Sequence, residues 1–191
     1  MGVRVIAGEH RGRILKTPAG RSTRPTGARA REAIFSILGP LGGERVLDLY
    51  AGSGAFGIEA LSRGADLSVF VEAEPRALAC IRQNLSELGL QERARVYPVR
   101  VERAAPALQA HLPFTLVFCD PPWADWVFAA DAVAKLSGLL ATGARLVFEH
   151  PAVDYPGEHN GLREAGLREL DQRRWGDTGM TLFERVDASH S

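Results

Sequence analysis

The chain has 191 residues, with 23 Lys or Arg against 23 Asp or Glu and an apolar fraction of 46%. Zero formal charge with that much apolar content fits one compact soluble domain and excludes disordered, collagen-like and coiled-coil chains. Apolar runs such as Phe114 to Cys119 fall far short of the roughly 20 residues that cross a bilayer, and Met1-Gly2-Val3-Arg4 lacks the apolar core of a signal peptide. The expected location is the cytoplasm, with no membrane partner. Cys80 and Cys119 are the two cysteines, and His10, His111, His150, His159 and His190 are scattered without an H-x-x-x-H pair. Neither a disulfide framework nor a metal site is expected.

Charge is segregated along the chain. Residues 1 to 36 carry eight basic side chains, Arg4, Arg11, Arg13, Lys16, Arg21, Arg24, Arg29 and Arg31, against Glu9 and Glu32, so this end is +6 and the remainder −6. Guanidinium makes bidentate, weakly hydrated contacts with phosphate. The segregation suggests a polyanion-binding arm on an acidic body, with a solvated basic tail as the plainer alternative.

Residues 1 to 27 read as an irregular or hairpin-like segment, because Thr17-Pro18-Ala19-Gly20 and Arg24-Pro25-Thr26-Gly27 are turn signals. A helix follows: Ala30, Ala33, Ile34, Ile37 and Leu38 share one helical face, and Thr26 is its expected N-cap. From residue 45, short apolar strands (Arg45 to Leu49, Leu67 to Glu72, Arg95 to Val99, Phe114 to Cys119, Arg145 to Phe148) alternate with helical segments (Ile58 to Arg63, Pro75 to Leu88, Glu102 to Leu112, Ala124 to Leu140). That alternation means β-α-β units and a parallel sheet. Leu167 to Arg173 and Met180 to Val186, joined by the turn-rich Trp175-Gly176-Asp177-Thr178-Gly179, are expected to close the sheet as an antiparallel hairpin.

The first strand runs into Asp48-Leu49-Tyr50-Ala51-Gly52-Ser53-Gly54-Ala55-Phe56-Gly57, a G-x-G-x-x-G pattern between strand and helix. Glycine lets backbone approach a ligand, and a helix N-terminus offers free N–H groups. Glu72, 24 residues after Asp48, stands where a carboxylate can accept both hydroxyls of a ribose. Asp48 is expected to face a ligand's positive end, since a carboxylate there would repel a pyrophosphate but suits an ammonium and a sulfonium. The alternative is that Asp48 caps the glycine turn.

Asp120-Pro121-Pro122-Trp123 directly follows the apolar strand Phe114 to Cys119. The exocyclic amine of a nucleobase is a poor nucleophile because its lone pair is delocalised into the ring. Two acceptors, the Asp120 carboxylate and the Pro121 carbonyl, can hold its N–H bonds and re-aim that pair, while the prolines fix the turn. Trp123 offers a flat face for an extruded base.

The order of glycine loop, acidic strand end and Asp-Pro-Pro-aromatic resembles the class I amino methyltransferases. Ile6-Ala7-Gly8, Arg11-Gly12-Arg13, Leu15, Pro18, Gly20, Arg24-Pro25-Thr26 and Arg29-Ala30-Arg31-Glu32-Ala33-Ile34-Phe35 resemble one family within that class, the RsmD-type bacterial 16S ribosomal RNA guanine-N2 methyltransferases. The similarity extends over nearly the whole chain. It implies an α/β fold with a doubly wound, Rossmann-like seven-stranded sheet whose last pair is antiparallel. S-adenosylmethionine is the implied cofactor, and 16S rRNA in the small ribosomal subunit the implied substrate. Position by position it implies cofactor contacts from Asp48, Ala51, Gly52, Gly54 and Glu72, and a catalytic motif at Asp120, Pro121, Pro122 and Trp123. Two departures stand out: the family usually carries Tyr or Phe where this chain has Trp123, and after the third strand, where relatives carry Asp or Asn toward the adenine amine, this chain has Val101-Glu102-Arg103. Glu102 is assigned to that role.

The resulting reading is a monomer with a basic N-terminal extension and helix, residues 1–38, that binds RNA through Arg11, Arg13, Arg24, Arg29 and Arg31. Residues 39–191 form the methyltransferase domain. Three alternatives remain: a methyltransferase acting on another nucleobase amine of DNA or RNA; an NAD-dependent oxidoreductase, which leaves Asp120-Pro121-Pro122-Trp123 without a task; and an RNA-binding ribosome-assembly factor that keeps the pocket without turnover.

Overall fold

A computed structural model of the chain describes residues 2–18, 25–152 and 160–187. In chain order its elements are β1 (Val3–Arg4), β2 (Ile14–Leu15), α1 (Pro25–Leu38), β3 (Arg45–Leu49), α2 (Ala55–Ser62), β4 (Leu67–Val71), α3 (Pro75–Leu88), β5 (Ala94–Tyr97), α4 (Ala105–Leu108), β6 (Phe114–Cys119), α5 (Trp126–Leu136), β7 (Leu140–Pro151), α6 (Asn160–Glu164), β8 (Leu167–Trp175) and β9 (Thr178–Arg185). Seven strands form one sheet in the order β5-β4-β3-β6-β7-β9-β8, parallel through β7 and antiparallel where β9 joins β7 and β8. This is the expected doubly wound sheet. Its central strands are apolar on both faces because both are covered. Leu47, Val117 and Phe148 pack with Ala129 and Val133 of α5, while Val46, Phe118 and Val147 pack with Ala30, Ile34 and Phe35 of α1. No helix among the described residues is long and apolar enough to cross a membrane.

Most element ends follow local chemistry. In α3 the Glu74 carboxylate accepts the Ala77 amide at 2.6 Å, Pro75 occupies the first turn, and Gly89 ends the helix at φ +68°. Helix α1 starts at Pro25, so Thr26 lies in its first turn instead of preceding it as an N-cap. The helix expected over Glu102 to Leu112 is broken into the 3-10 turn Val101–Arg103, the short α4 and the 3-10 turn Gln109–His111, with Pro106 in the first turn of α4. Strand β7 outgrows the expected Arg145 to Phe148 because both β6 and β9 pair with it.

The N-terminal segment is a strap. Strands β1 and β2 form a short antiparallel hairpin. The backbone amides of Ile6 and Ala7 donate to the Glu59 carboxylate of α2 at 2.7 and 3.0 Å. Ser62 of the same helix accepts the His10 amide and donates to the Ala7 carbonyl. Gly8, at φ +82°, is required here: a Cβ would stand 1.8 Å from the Ser62 carbonyl oxygen. Val5 and Leu15 are buried with Ile58, Leu61 and Phe70, so the strap shares the body's core.

Candidate active site

The strand order reverses between β3 and β6, and α/β sheets hold ligands in the crevice that such a reversal opens at the carboxyl ends of the strands. Leu49 pairs in register with Val71 of β4 on one side and Cys119 of β6 on the other. The chain segments beginning at Tyr50, Glu72 and Asp120 therefore leave the sheet side by side. The topology brings together the glycine loop, the acidic strand end and the Asp-Pro-Pro-Trp segment, which the sequence separates by up to 72 residues.

The glycine loop turns sharply, with Gly52 at φ +58° and Gly54 at φ +79°, and α2 starts at Ala55. Gly57 serves packing: a Cβ there would lie 2.4 Å from the Phe70 ring and 2.5 Å from Ser68 Oγ, so α2 could not rest on β4. Asp48, 1% exposed, accepts the Gly57 amide through Oδ2 at 2.9 Å. This corrects the expectation that Asp48 faces a ligand's positive end, because its carboxylate is buried beneath the loop as the cap of α2. Burial raises its pKa well above the ordinary carboxylate range, Asp120 and Glu72 push the same way, and the Gly57 amide pulls it down.

Glu72 stands at the mouth of the same loop. Its Oε2 accepts the Gly52 amide at 2.8 Å, and its Oε1 accepts the Ala73 and Glu74 amides, each at 2.8 Å. A carboxylate has about four acceptor sites. Three are occupied by backbone, which fixes the group's orientation and leaves acceptor capacity on Oε2. Ala51 is nearly buried, and its amide bonds the Val71 carbonyl at 3.2 Å, so the loop is tied to β4 at two points.

Tyr50 is a residue that motif reading missed. It adopts φ +56°, a left-handed conformation unusual for a bulky residue and concentrated at functional sites. Its hydroxyl reaches Glu102 Oε1 at 3.5 Å, the long limit of a hydrogen bond. Burial, then Cys119, Glu102 and Asp125, raise the phenol pKa, which keeps Tyr50 a donor. Glu102, exposed in its 3-10 turn and also held by Arg100 Nε at 3.3 Å, thus stands beside the glycine loop. A tyrosine before Ala-Gly-Ser-Gly gives no sign in sequence that its backbone will turn left-handed.

Asp120 is half-buried at the end of β6, Pro121 is buried, Pro122 is exposed and Trp123 is half-buried. The Asp125 amide donates to the Pro122 carbonyl at 2.8 Å and closes the turn that leads into α5. Behind it, the buried His150 at the end of β7 lies 6.4 Å, ring to ring, from Trp126. His150 Nδ1 donates to the Pro151 carbonyl at 2.8 Å, since a carbonyl can only accept, and Nε2 meets Thr181 Oγ1 at 3.0 Å. His150 therefore ties the end of β7 to β9 and lies beside the first residue of α5, a role no spacing in the sequence announces.

The arginines divide. Arg11, Arg13 and Arg29 are exposed, with Arg13 donating to the Glu87 carbonyl at 3.3 Å. Arg24 lies outside the described residues. The expectation for Arg31 is corrected: it is 7% exposed and donates to the Arg4 carbonyl at 2.6 Å, holding the strap to α1. Burial lowers its pKa, with Glu59 opposing that shift and Arg63 adding to it. Among the described residues no cluster of three or more His, Cys, Asp or Glu side chains could hold a metal ion.

Strand order, antiparallel closing pair and a glycine loop at the reversal define a class I methyltransferase fold. The family model described as "Conserved hypothetical protein 95" matches residues 3–184. A Bacillus subtilis (strain 168) protein named "Putative rRNA methyltransferase YlbH" is 37% identical over 196 residues, covering 96% of this chain and 99% of its own. Ribosomal RNA small subunit methyltransferase D of Escherichia coli (strain K12) is 38% identical over 122 residues, 63% of this chain and 60% of its own. The solved structure of "Putative methyltransferase yhhF" from Escherichia coli superposes with a TM-score of 0.81 at 30% identity, covering 97% of this chain and 99% of that one. The chain belongs to the RsmD family of methyltransferases. That membership overturns the oxidoreductase alternative.

Proposed function

We propose that the chain transfers a methyl group from S-adenosylmethionine to the exocyclic N2 of one guanine in 16S rRNA of the small ribosomal subunit. The observation that carries this reading is the placement of Asp120-Pro121-Pro122-Trp123 at the end of β6, adjacent to the glycine loop across the Leu49 to Cys119 pairing. Family membership and the names of the relatives support rRNA as the substrate.

The residues present fit the cofactor. Glu72 retains acceptor capacity on Oε2 for a ribose hydroxyl, and Gly52 and Gly54 keep the backbone open to close approach. Glu72 and Asp120 leave the sheet on either side of the loop, so the acidic mouth of the crevice suits a cation better than a pyrophosphate. Ala51 and Glu102 border the same loop. When bound, S-adenosylmethionine supplies a methyl group already activated on a sulfonium.

Positioning then does most of the work. Asp120 and the Pro121 carbonyl accept the two N–H bonds of the guanine amine and aim its lone pair, Pro122 holds the turn, and Trp123 stacks on the extruded base. Glu72 and the Gly52–Gly54 turn would hold the cofactor with its methyl carbon in line with that lone pair, the electron pair of the C–S bond leaving with sulfur as the C–N bond forms. The amine proton passes to Asp120 or to water. No covalent enzyme intermediate is required. Residues 1–38 supply the RNA-facing arm, with Arg11, Arg13, Arg24 and Arg29 on phosphates and residues 39–191 as the catalytic domain.

The test is incubation of the protein with methyl-labelled S-adenosylmethionine and small subunits from a strain lacking the gene, followed by nucleoside analysis. Label in N2-methylguanosine of 16S rRNA is the expected result. Label in adenosine or cytidine, or none, would overturn the assignment.

A further inference from the structure

Helix α3 buries Ile81, Asn84, Leu85 and Leu88 along one stripe. Asn84 is the polar member, 2% exposed, at a position where an apolar side chain would pack without needing partners. Its amide is fully engaged. Oδ1 accepts the Lys16 amide at 2.8 Å, and Nδ2 donates to the Lys16 carbonyl and to the Ser53 carbonyl, each at 3.0 Å. Lys16 directly follows β2 in the strap, and Ser53 sits between the two left-handed glycines of the loop. One buried side chain thus holds the backbone of both.

The two ends of this bridge have different tasks under the proposed function, on which the inference rests. Near Lys16 the strap carries exposed cations: Arg13 reaches the Glu87 carbonyl and Lys16 Nζ pairs with Glu87 at 2.7 Å, both on α3. At the other end, the bond to the Ser53 carbonyl fixes the Ser53–Gly54 peptide, in the same short turn as the Gly52 amide that donates to Glu72. Phosphates held by the strap would keep Lys16 seated on Asn84, and Asn84 would keep the loop in its binding form. A cofactor reaching that loop then pays less ordering entropy.

We propose that Asn84 is a positioning residue that couples the strap to the glycine loop, so that bound rRNA tightens cofactor binding and bound cofactor tightens rRNA binding by the same factor. The equality follows from thermodynamic linkage. The experiment is equilibrium dialysis of labelled S-adenosylhomocysteine, with and without saturating unmethylated small subunits. Wild type is expected to bind it about fivefold or more tightly with subunits present. In Asn84→Ala that ratio falls to about one. Asn84→Asp, which keeps volume and the acceptor for the Lys16 amide while removing both donors, gives the same collapse and serves if the alanine variant folds poorly. A purely structural Asn84 would weaken binding in both states and leave the ratio unchanged, which overturns the proposal. A ratio of one in wild type overturns it while leaving the methyltransferase reading intact, and no S-adenosylhomocysteine binding at all overturns both.

Discussion

Asp48 Oδ2 accepts the Gly57 amide at 2.9 Å, so a buried carboxylate at the end of β3 closes the N-terminus of α2 beneath the glycine loop. The helix dipole favours the negative charge, but burial and the neighbouring Asp120 and Glu72 oppose it, and the folded-state pKa rises well above its unfolded value. A carboxyl group shifted upward contributes stability that is fully present at acid pH, where it is protonated, and is lost as pH rises through its folded-state pKa. Asp48→Asn keeps an oxygen toward Gly57 and removes the titration. Thermal melts from about pH 5 to about pH 8 should show the variant gaining on wild type as pH rises. A difference independent of pH would contradict the buried-charge assignment.

Gly57→Ala tests the contact between α2 and β4. The added methyl meets the Phe70 ring and Ser68 Oγ within 2.5 Å, and overpacking of this kind costs about 1–3 kcal/mol. Urea unfolding should register that loss. A neutral substitution would mean that α2 can lift from the sheet.

Arg31 and the exposed arginines should fail differently. Arg11→Ala with Arg13→Ala should flatten the salt dependence of rRNA binding by roughly one unit of slope per lost phosphate contact and leave thermal stability unchanged. Arg31→Ala strands the Arg4 carbonyl and loosens the strap, so it should lower stability by about 1–3 kcal/mol. An unchanged salt slope in the double variant would make the arm a structural strap alone.

Trp123 is assigned a stacking surface, a contribution of ~1–3 kcal/mol per base. Trp123→Ala should impair use of the flipped guanine, and Trp123→Phe should recover much of the rate. Steady-state assays on small subunits compare them. A phenylalanine variant as poor as the alanine variant would show that the indole does more than stack.

The parallel sheet and the crevice were legible because both announce themselves locally: Arg45 to Leu49 and Phe114 to Cys119 are short apolar runs, and Asp120-Pro121-Pro122-Trp123 leaves the second of them directly. What stayed hidden depends on contacts between distant segments. Arg31 reads as a surface cation until the Arg4 carbonyl, 27 residues away, is placed against it. Asp48 matches the family's cofactor motif, but only the fold shows its carboxylate turned down onto Gly57. The left-handed backbone of Tyr50 and the bridge of Asn84 between Lys16 and Ser53 have no spacing rule at all.

The central claim is that Asp120 acts on the reacting amine, and single-turnover methyl transfer by Asp120→Ala tests it most directly. With the variant saturated with S-adenosylmethionine and small subunits, the transfer rate should fall by at least about a hundredfold, while both ligands bind within about threefold of wild type. Transfer at the wild-type rate under the same saturation would contradict the mechanism.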